Sequence, residues 1–191
     1  MGQSPVLETG RLLIEPFSER HLSDRYVGWL NDPEVVRLSE QRFRTHTPES
    51  CREYMRSFEG TPNHFWAILS RLPREGHVGN VNASVDARNG VADIGILIGE
   101  KRLWGKGYGL EAFRAVTSFL FGQVGVRKVT AGTTSINLGM LRIMERMGME
   151  PDGLRLRHVL IDGQETDLIH AALFREKWRL EMGTSEGNAR V

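Results

Sequence analysis

Apolar residues fall at helical spacing between residues 18 and 58, and from residue 64 they shift to the alternation and short runs typical of strands. Arg11 to Pro16 reads as a short strand stopped by proline. Ser18 caps a predicted helix to about Leu30, with Leu22, Tyr26, Trp29 and Leu30 on one side, and Asn31-Asp32-Pro33 breaks it. A short helical piece from Glu34 to Leu38 and a polar linker from Ser39 to His46 come next. A helix to about Phe58 follows, with Thr47 as its cap and Pro48 at its first position. His64 to Ser70, His77 to Asp86 and Val91 to Gly99 read as three antiparallel strands. The turn-rich stretch Arg71 to Gly76 and the Asn89-Gly90 hairpin signal join them. Leu110, Phe113, Val116, Thr117, Leu120 and Phe121 then mark a helical apolar face that ends at Gly122 to Gly125. The strand Val126 to Thr133 follows that crossover, so it is expected to lie parallel to Val91 to Gly99. Asn137 to Met147 is a further helix stopped by Gly148, and Asp162-Gly163 joins the last strands, Leu154 to Ile161 and Thr166 to Phe174. The expected class is α/β (α+β): a mixed, mostly antiparallel sheet with one parallel pair near its middle.

Composition narrows the function classes more than the fold. A chain of 191 residues with 40% hydrophobic and 26% charged residues has the makings of one globular domain, residues 1–181, with a small, polar tail at 182–191 expected to be disordered. Basic and acidic residues nearly cancel at a net charge of +1, so nothing global recruits nucleic acid or an anionic membrane. No stretch approaches the roughly 20 apolar residues of a membrane span, and Gly2 lacks the Ser or Thr at the sixth position that myristoylation wants, since Val6 stands there. A cytoplasmic monomer or homodimer is the expectation. The single cysteine, Cys51, rules out an intramolecular disulfide and any multi-cysteine zinc site, no metal is expected, and Cys51 reads as a half-buried thiol in a helix opening.

The chemistry concentrates between Ala92 and Ala115. There an apolar strand hands over to a helix through Trp104-Gly105-Lys106-Gly107-Tyr108-Gly109, a glycine-rich turn at a helix N-terminus and hence a seat for phosphate. A P-loop requires Gly-Lys-Ser/Thr, but Gly107 follows Lys106 and four-residue spacing from Gly99 lands on Trp104. A Rossmann fingerprint requires Gly or Ala where Leu110 stands, and a parallel sheet rather than an antiparallel meander before the loop. The loop instead resembles the pyrophosphate loop of the GNAT superfamily of acetyl-CoA-dependent N-acetyltransferases, whose usual pattern is Gln/Arg-x-x-Gly-x-Gly/Ala. A second motif supports the resemblance: Asn137, then Glu145-Arg146-Met147-Gly148-Met149, looks like the family's Asn-containing helix ending in Lys/Arg-x-Gly-Phe. The likeness spans about Arg11 to Trp178. Trp104 stands where many members carry Gln or Arg, as in the branch of ribosomal-protein and amino-sugar N-acetyltransferases. Met144 and Met140 stand where many members carry a Tyr or Ser that protonates the leaving thiolate.

The resemblance implies a GNAT fold with helices on both faces of the sheet and the strands Val91 to Gly99 and Val126 to Thr133 splaying around the pantetheine arm. It assigns acetyl-CoA as co-substrate to Leu97, Ile98, Gly99, Trp104, Gly105, Lys106, Gly107, Tyr108, Gly109 and Asn137, with backbone N–H groups rather than side chains holding the phosphates. For proton removal the candidates are Asp93, beside the cofactor strand; Glu100, at its exit; and His158, in the last hairpin. Each also has a plain structural reading, as a strand-edge carboxylate, a surface group and a strand histidine, while Glu111 reads as a structural acid favouring the helix dipole. On the substrate side stand Trp29, Asn31, Arg42 and Arg44, where an arginine would clamp a diphosphate and an aromatic would stack a base; Trp29 also reads as a staple between helix and sheet. The expected partner is a small-molecule primary amine, with a nucleotide-linked amino sugar foremost. The alternatives are a protein N-terminus and a non-catalytic CoA-binding regulatory module.

Overall fold

The structure, a computed structural model, describes residues 4–72 and 75–178; the expected disordered tail at 182–191 lies outside the described residues. Its strands are β1 (Leu7–Glu8), β2 (Leu12–Pro16), β3 (His64–Ser70), β4 (Gly76–Asp86), β5 (Val91–Ile98), β6 (Lys128–Thr134), β7 (Glu150–Ile161) and β8 (Gln164–Phe174). Its helices are α1 (Asp24–Asn31), α2 (Pro33–Val36), α3 (Pro48–Arg56), α4 (Tyr108–Phe119) and α5 (Leu138–Arg146). The sheet runs β1-β2-β3-β4-β5-β6-β8-β7, with every neighbouring pair antiparallel except β5 and β6.

Local chemistry explains the element ends. The expected helix from Ser18 to Leu30 is two pieces, a 3-10 turn at Glu19–His21 and then α1, because the Ser23 hydroxyl accepts the Tyr26 N–H and starts a fresh helix. Asp32 caps α2 and Thr47 caps α3, each with proline at the first turn. The last hairpin is longer than its apolar pattern suggests: β7 begins at Glu150 and is exposed along most of its length, so alternation never marks its first residues.

The sheet separates two apolar layers. Under α4 and α5 lie Trp66, Ile68, Val78, Val81, Ile94, Phe113, Val116, Leu120 and Met147, all nearly inaccessible. On the opposite face Phe17, Tyr26, Trp29, Leu30, Cys51, Phe65 and Ala67 pack beneath α1 and α3. Burial there pushes the Cys51 thiol pKa up, the opposite of what a nucleophilic cysteine requires. The feature that positions the site is the end of the β5–β6 pairing. Their ladder runs only through Val91↔Lys128, Ala92↔Val129 and Asp93↔Thr130. On the outer sides pairing continues to Gly79↔Ile98 and to Thr134↔Leu168, so β5 and β6 part while each stays held by its other neighbour.

Candidate active site

The opening left by that parting leads into a cleft of about 620 Å³. β5 contributes Ile96, Leu97 and Ile98; the turn after it contributes Leu103, Trp104, Gly105 and Gly107; α4 contributes Tyr108, Gly109 and Leu110. Asn137, Met140, Arg142, Ile143 and Arg146 close the far side.

Gly105 and Gly107 carry φ of +72° and +83°, a left-handed backbone that side chains with a Cβ resist. This conformation turns the chain into α4 with Gly107 as its cap. The first helical N–H to find a backbone acceptor is that of Glu111, which donates to the Gly107 carbonyl at 3.0 Å. The N–H groups of Tyr108, Gly109 and Leu110 precede it and have no intrahelical carbonyl to reach. Three amides at the positive end of a helix, beside a cleft, fit an anionic diphosphate. Helix α5 approaches this turn closely, since a Cβ on Gly109 would stand 3.1 Å from Ile143 Cδ1.

Arg11 and Glu111 hold the turn from behind. Glu111 accepts from the Thr9 hydroxyl at 2.6 Å, from the Arg11 backbone N–H at 2.9 Å and from Arg11 Nε at 2.7 Å. Burial alone would raise the Glu111 pKa; these hydrogen bonds and the Arg11 charge outweigh it and hold the carboxyl below its ordinary value. The same guanidinium donates from Nη1 to the Lys106 carbonyl at 3.0 Å and lies over the Tyr108 ring, 4.6 Å from its centroid. Glu111 is therefore structural, as its position in the first turn suggests.

Of the expected cofactor residues, Leu97, Ile98, Trp104, Gly105, Gly107, Tyr108, Gly109 and Asn137 line the cleft. Gly99 and Lys106 are not in that lining. The Gly99 N–H donates to the Val78 carbonyl at 3.0 Å, which takes it out of reach of a ligand, and a Cβ on Gly99 would stand 2.0 Å from Trp29 Cδ2. Trp104 has a part the loop pattern does not suggest: its indole N–H donates to the Ile98 carbonyl at 2.7 Å, closing off the last backbone acceptor of β5. The Asn137 side-chain oxygen caps α5 by accepting the Met140 N–H at 3.2 Å, which leaves its amide N–H groups for the cleft. Arg142 and Arg146, one helical turn apart on α5, are basic lining residues that the sequence did not single out, as is Arg37. The i, i+4 spacing of Arg142 and Arg146 on an amphipathic helix was the available signal.

The expected catalytic and substrate residues are not in that lining. Asp93 stands at the still-paired end of β5, where the Thr130 hydroxyl donates to it at 2.7 Å; five residues of strand, roughly 17 Å, separate it from Ile98. Glu100 is locked between Arg25 and Arg102, at 2.7 and 3.0 Å. Burial would raise its pKa, but those two guanidinium groups prevail and hold it low, so it is a poor proton acceptor. His158 is an exposed residue of β7, the outermost strand. Trp29 is buried against Gly99 as a staple. Asn31 ties the linker down, donating to the Val27 and His46 carbonyls and accepting the His46 N–H. Arg42 donates to the Ser39 and Leu160 carbonyls and pairs with Glu40, so its guanidinium joins the Glu40–Phe43 turn to β7. Arg44 is exposed on the same linker.

Known proteins share this fold. A family model described as an acetyltransferase (GNAT) domain matches residues 11–150. The protein named Probable N-acetyltransferase YjcK from Bacillus subtilis (strain 168) is 34% identical over 59 residues, 31% of this chain and 33% of that one. The match thus spans about a third of the length of that curated relative. The ribosomal-protein-S5-alanine acetyltransferase of Vibrio fischeri superposes with a TM-score of 0.78 at 13% identity, covering 92% of this chain and 99% of that chain. A chimera of the spermidine N-acetyltransferase SpeG from Vibrio cholerae and hSSAT superposes with a TM-score of 0.75 at 16% identity, covering 87% and 97%. At these identities the two structures establish likeness of fold alone. The family model covers well over half of the chain and contains both the glycine turn and the Asn137 helix, so the chain belongs to the GNAT acetyltransferase family.

Proposed function

We propose that this protein transfers the acetyl group of acetyl-CoA to the primary amine of a small molecule. The observation that carries the reading is the continuity of one cleft from the amides of Tyr108, Gly109 and Leu110 to the parting of β5 and β6. The turn fits the diphosphate of CoA, with Arg142 and Arg146 beside it, and the parting strands fit the pantetheine arm. Acetyl-CoA supplies an activated thioester, which a free amine attacks directly. The protein has then to align the two and accept one proton. Trp104 and the β4 pairing hold β5 rigid, so its remaining backbone groups are preorganised toward that thioester.

A small acceptor is favoured over a protein N-terminus because the acceptor side is bounded and not acidic. Arg42 to the Leu160 carbonyl and Arg37 to Asp162 at 2.7 Å tie the segment from α2 to the Glu40–Phe43 turn against the last hairpin. Three of the four charged lining residues, Arg37, Arg142 and Arg146 against Glu34, are basic, which suits an acceptor bearing phosphate such as a nucleotide-linked amino sugar. Arg42 and Arg37 are both engaged within the protein, so the proposal places the anion nearer Arg44. Thiol release from acetyl-CoA with glucosamine phosphate, a uridine-diphosphate amino sugar, spermidine and an alanyl peptide tests it. Turnover confined to the peptide, or acetyl-CoA binding with no turnover on any amine, refutes the small-amine reading.

A further inference from the structure

Four polar side chains gather where β5 and β6 part, on the face away from α4 and α5. After the last paired residues, Asp93 and Thr130, the parallel register brings Gly95 and Gly132 to equivalent positions, the second rung that does not close. Both face the α1 side, because each alternates with buried core residues, Ile94 on β5 and Ala131 on β6. The space their missing side chains leave is filled from outside. A Cβ on Gly95 would stand 2.5 Å from Asn82 Oδ1 of β4, and a Cβ on Gly132 would stand 3.1 Å from His170 Nδ1 of β8. An amide and an imidazole therefore lean inward from opposite sides of the fork. One level up, Asn80 beside Leu97 and Thr134 on β6 face the same way.

Asn80 Oδ1, Thr134 Oγ1 and His170 Nε2 are each buried and, among the described residues, have no hydrogen-bond partner. A buried polar atom left unpaired destabilises a fold by about 1–3 kcal/mol, so three on the strands that flank one fork call for partners. All three can accept hydrogen bonds, and a primary ammonium group offers three N–H donors.

We propose that Asn80, Thr134 and His170 form the seat of the acceptor amine and that His170 is the catalytic base. This rests on the acetyltransferase reading above. The bound ammonium first gives one proton to solvent, which frees its lone pair; His170 Nε2 then takes a second proton from the nitrogen as the C–N bond forms and the C–S bond of the thioester breaks. The departing thiolate recovers that second proton from the imidazolium through solvent, so the products are an N-substituted acetamide, CoA thiol and the proton first released, and the protein ends as it began. A hydroxyl satisfies only one of the three acceptors, which makes the seat selective for N-acetylation over O-acetylation.

The test measures thiol release from acetyl-CoA with the amine panel named above, on the wild-type protein and on His170→Gln, His170→Ala and Gly132→Ala, with thermal melts and acetyl-CoA titrations alongside. His170→Gln is expected to lower kcat about 100-fold or more while acetyl-CoA affinity stays within about twofold, and added imidazole is expected to restore turnover in His170→Ala. Gly132→Ala pushes the ring aside without removing it and is expected to lower kcat about tenfold. It keeps the test decisive if His170→Gln melts early. A folded His170→Gln protein, or Gly132→Ala, with wild-type kcat overturns the amine seat alone. A wild-type protein that binds acetyl-CoA and acetylates nothing in the panel overturns the acetyltransferase reading and the seat with it.

Discussion

Arg11→Ala tests whether the phosphate turn is held from behind. The substitution keeps the Arg11 backbone bond to Glu111 and removes three interactions: the 2.7 Å Nε pairing with Glu111, the 3.0 Å bond to the Lys106 carbonyl and the stacking over Tyr108. The Arg11 side chain is 42% exposed, so the ion pair belongs at the weak end of its range, about 0.5–1 kcal/mol after solvent screening. The carbonyl bond adds about 1 kcal/mol and the ring contact about 0.5 kcal/mol. A total near 2 kcal/mol lowers Tm by roughly 4–8 °C in a chain of this size. About 1.5 kcal/mol of it restrains the turn itself, through Lys106 and Tyr108. Losing that restraint lets the carbonyl rotate and is expected to weaken acetyl-CoA binding roughly fivefold to tenfold. Thermal melts and calorimetric titration of acetyl-CoA read the two effects separately, and a double-mutant cycle with Glu111→Ala isolates the pair at about 1 kcal/mol of coupling. A coupling below about 0.3 kcal/mol, or a lowered Tm with unchanged acetyl-CoA affinity, refutes the bracing role.

Two other perturbations separate backbone from side chain and folded from unfolded chain. Gly107→Val puts a branched Cβ on a residue at φ +83° and is expected to raise the acetyl-CoA KM strongly, whereas Lys106→Ala, which keeps every N–H in place, is expected to raise it little; equal small effects from both would put the phosphate elsewhere. His77 is held neutral down to a pKa of about 4, chiefly by burial, with the His21 and Arg25 charges acting in the same direction and the Gly79 carbonyl opposing them. Its folded pKa lies below that of the unfolded chain, so its contribution is complete above about pH 6.5 and drains away toward pH 4, by roughly 3 kcal/mol in all. Urea midpoints at pH 7.5 and 4.5 for the wild-type protein and His77→Gln check this: the variant loses less stability on acidification, and parallel losses refute it.

The glycine turn into α4 was readable from sequence because its requirements are local. Positive-φ glycines, a helix start and the absence of a Ser/Thr after Lys106 all lie within a few consecutive residues. The capped helices α2 and α3, the three-stranded meander and the Asp162-Gly163 hairpin were legible for the same reason. The break inside the expected helix from Ser18 to Leu30 was not, because two serines five apart both serve as caps and spacing alone does not choose between them. Glu100 and Arg42 look like free functional groups in one dimension and are engaged in three. Their partners, Arg25 and the Leu160 carbonyl, are 75 and 118 residues away in the chain.

Period, caps and turn glycines by themselves determined the three-stranded meander, the parallel crossover and the glycine turn into α4, since each is a property of neighbours along the chain. Tertiary structure alone decided which polar groups face one another. Asn80 and Asn82 on β4, Thr134 on β6 and His170 on β8 are unremarkable residues of three separate strands. Only the register, and the parting of β5 from β6 over two opposed glycines, brings them to one opening. Strand pairing is a long-range choice made by the whole sheet, so no window of sequence contains it.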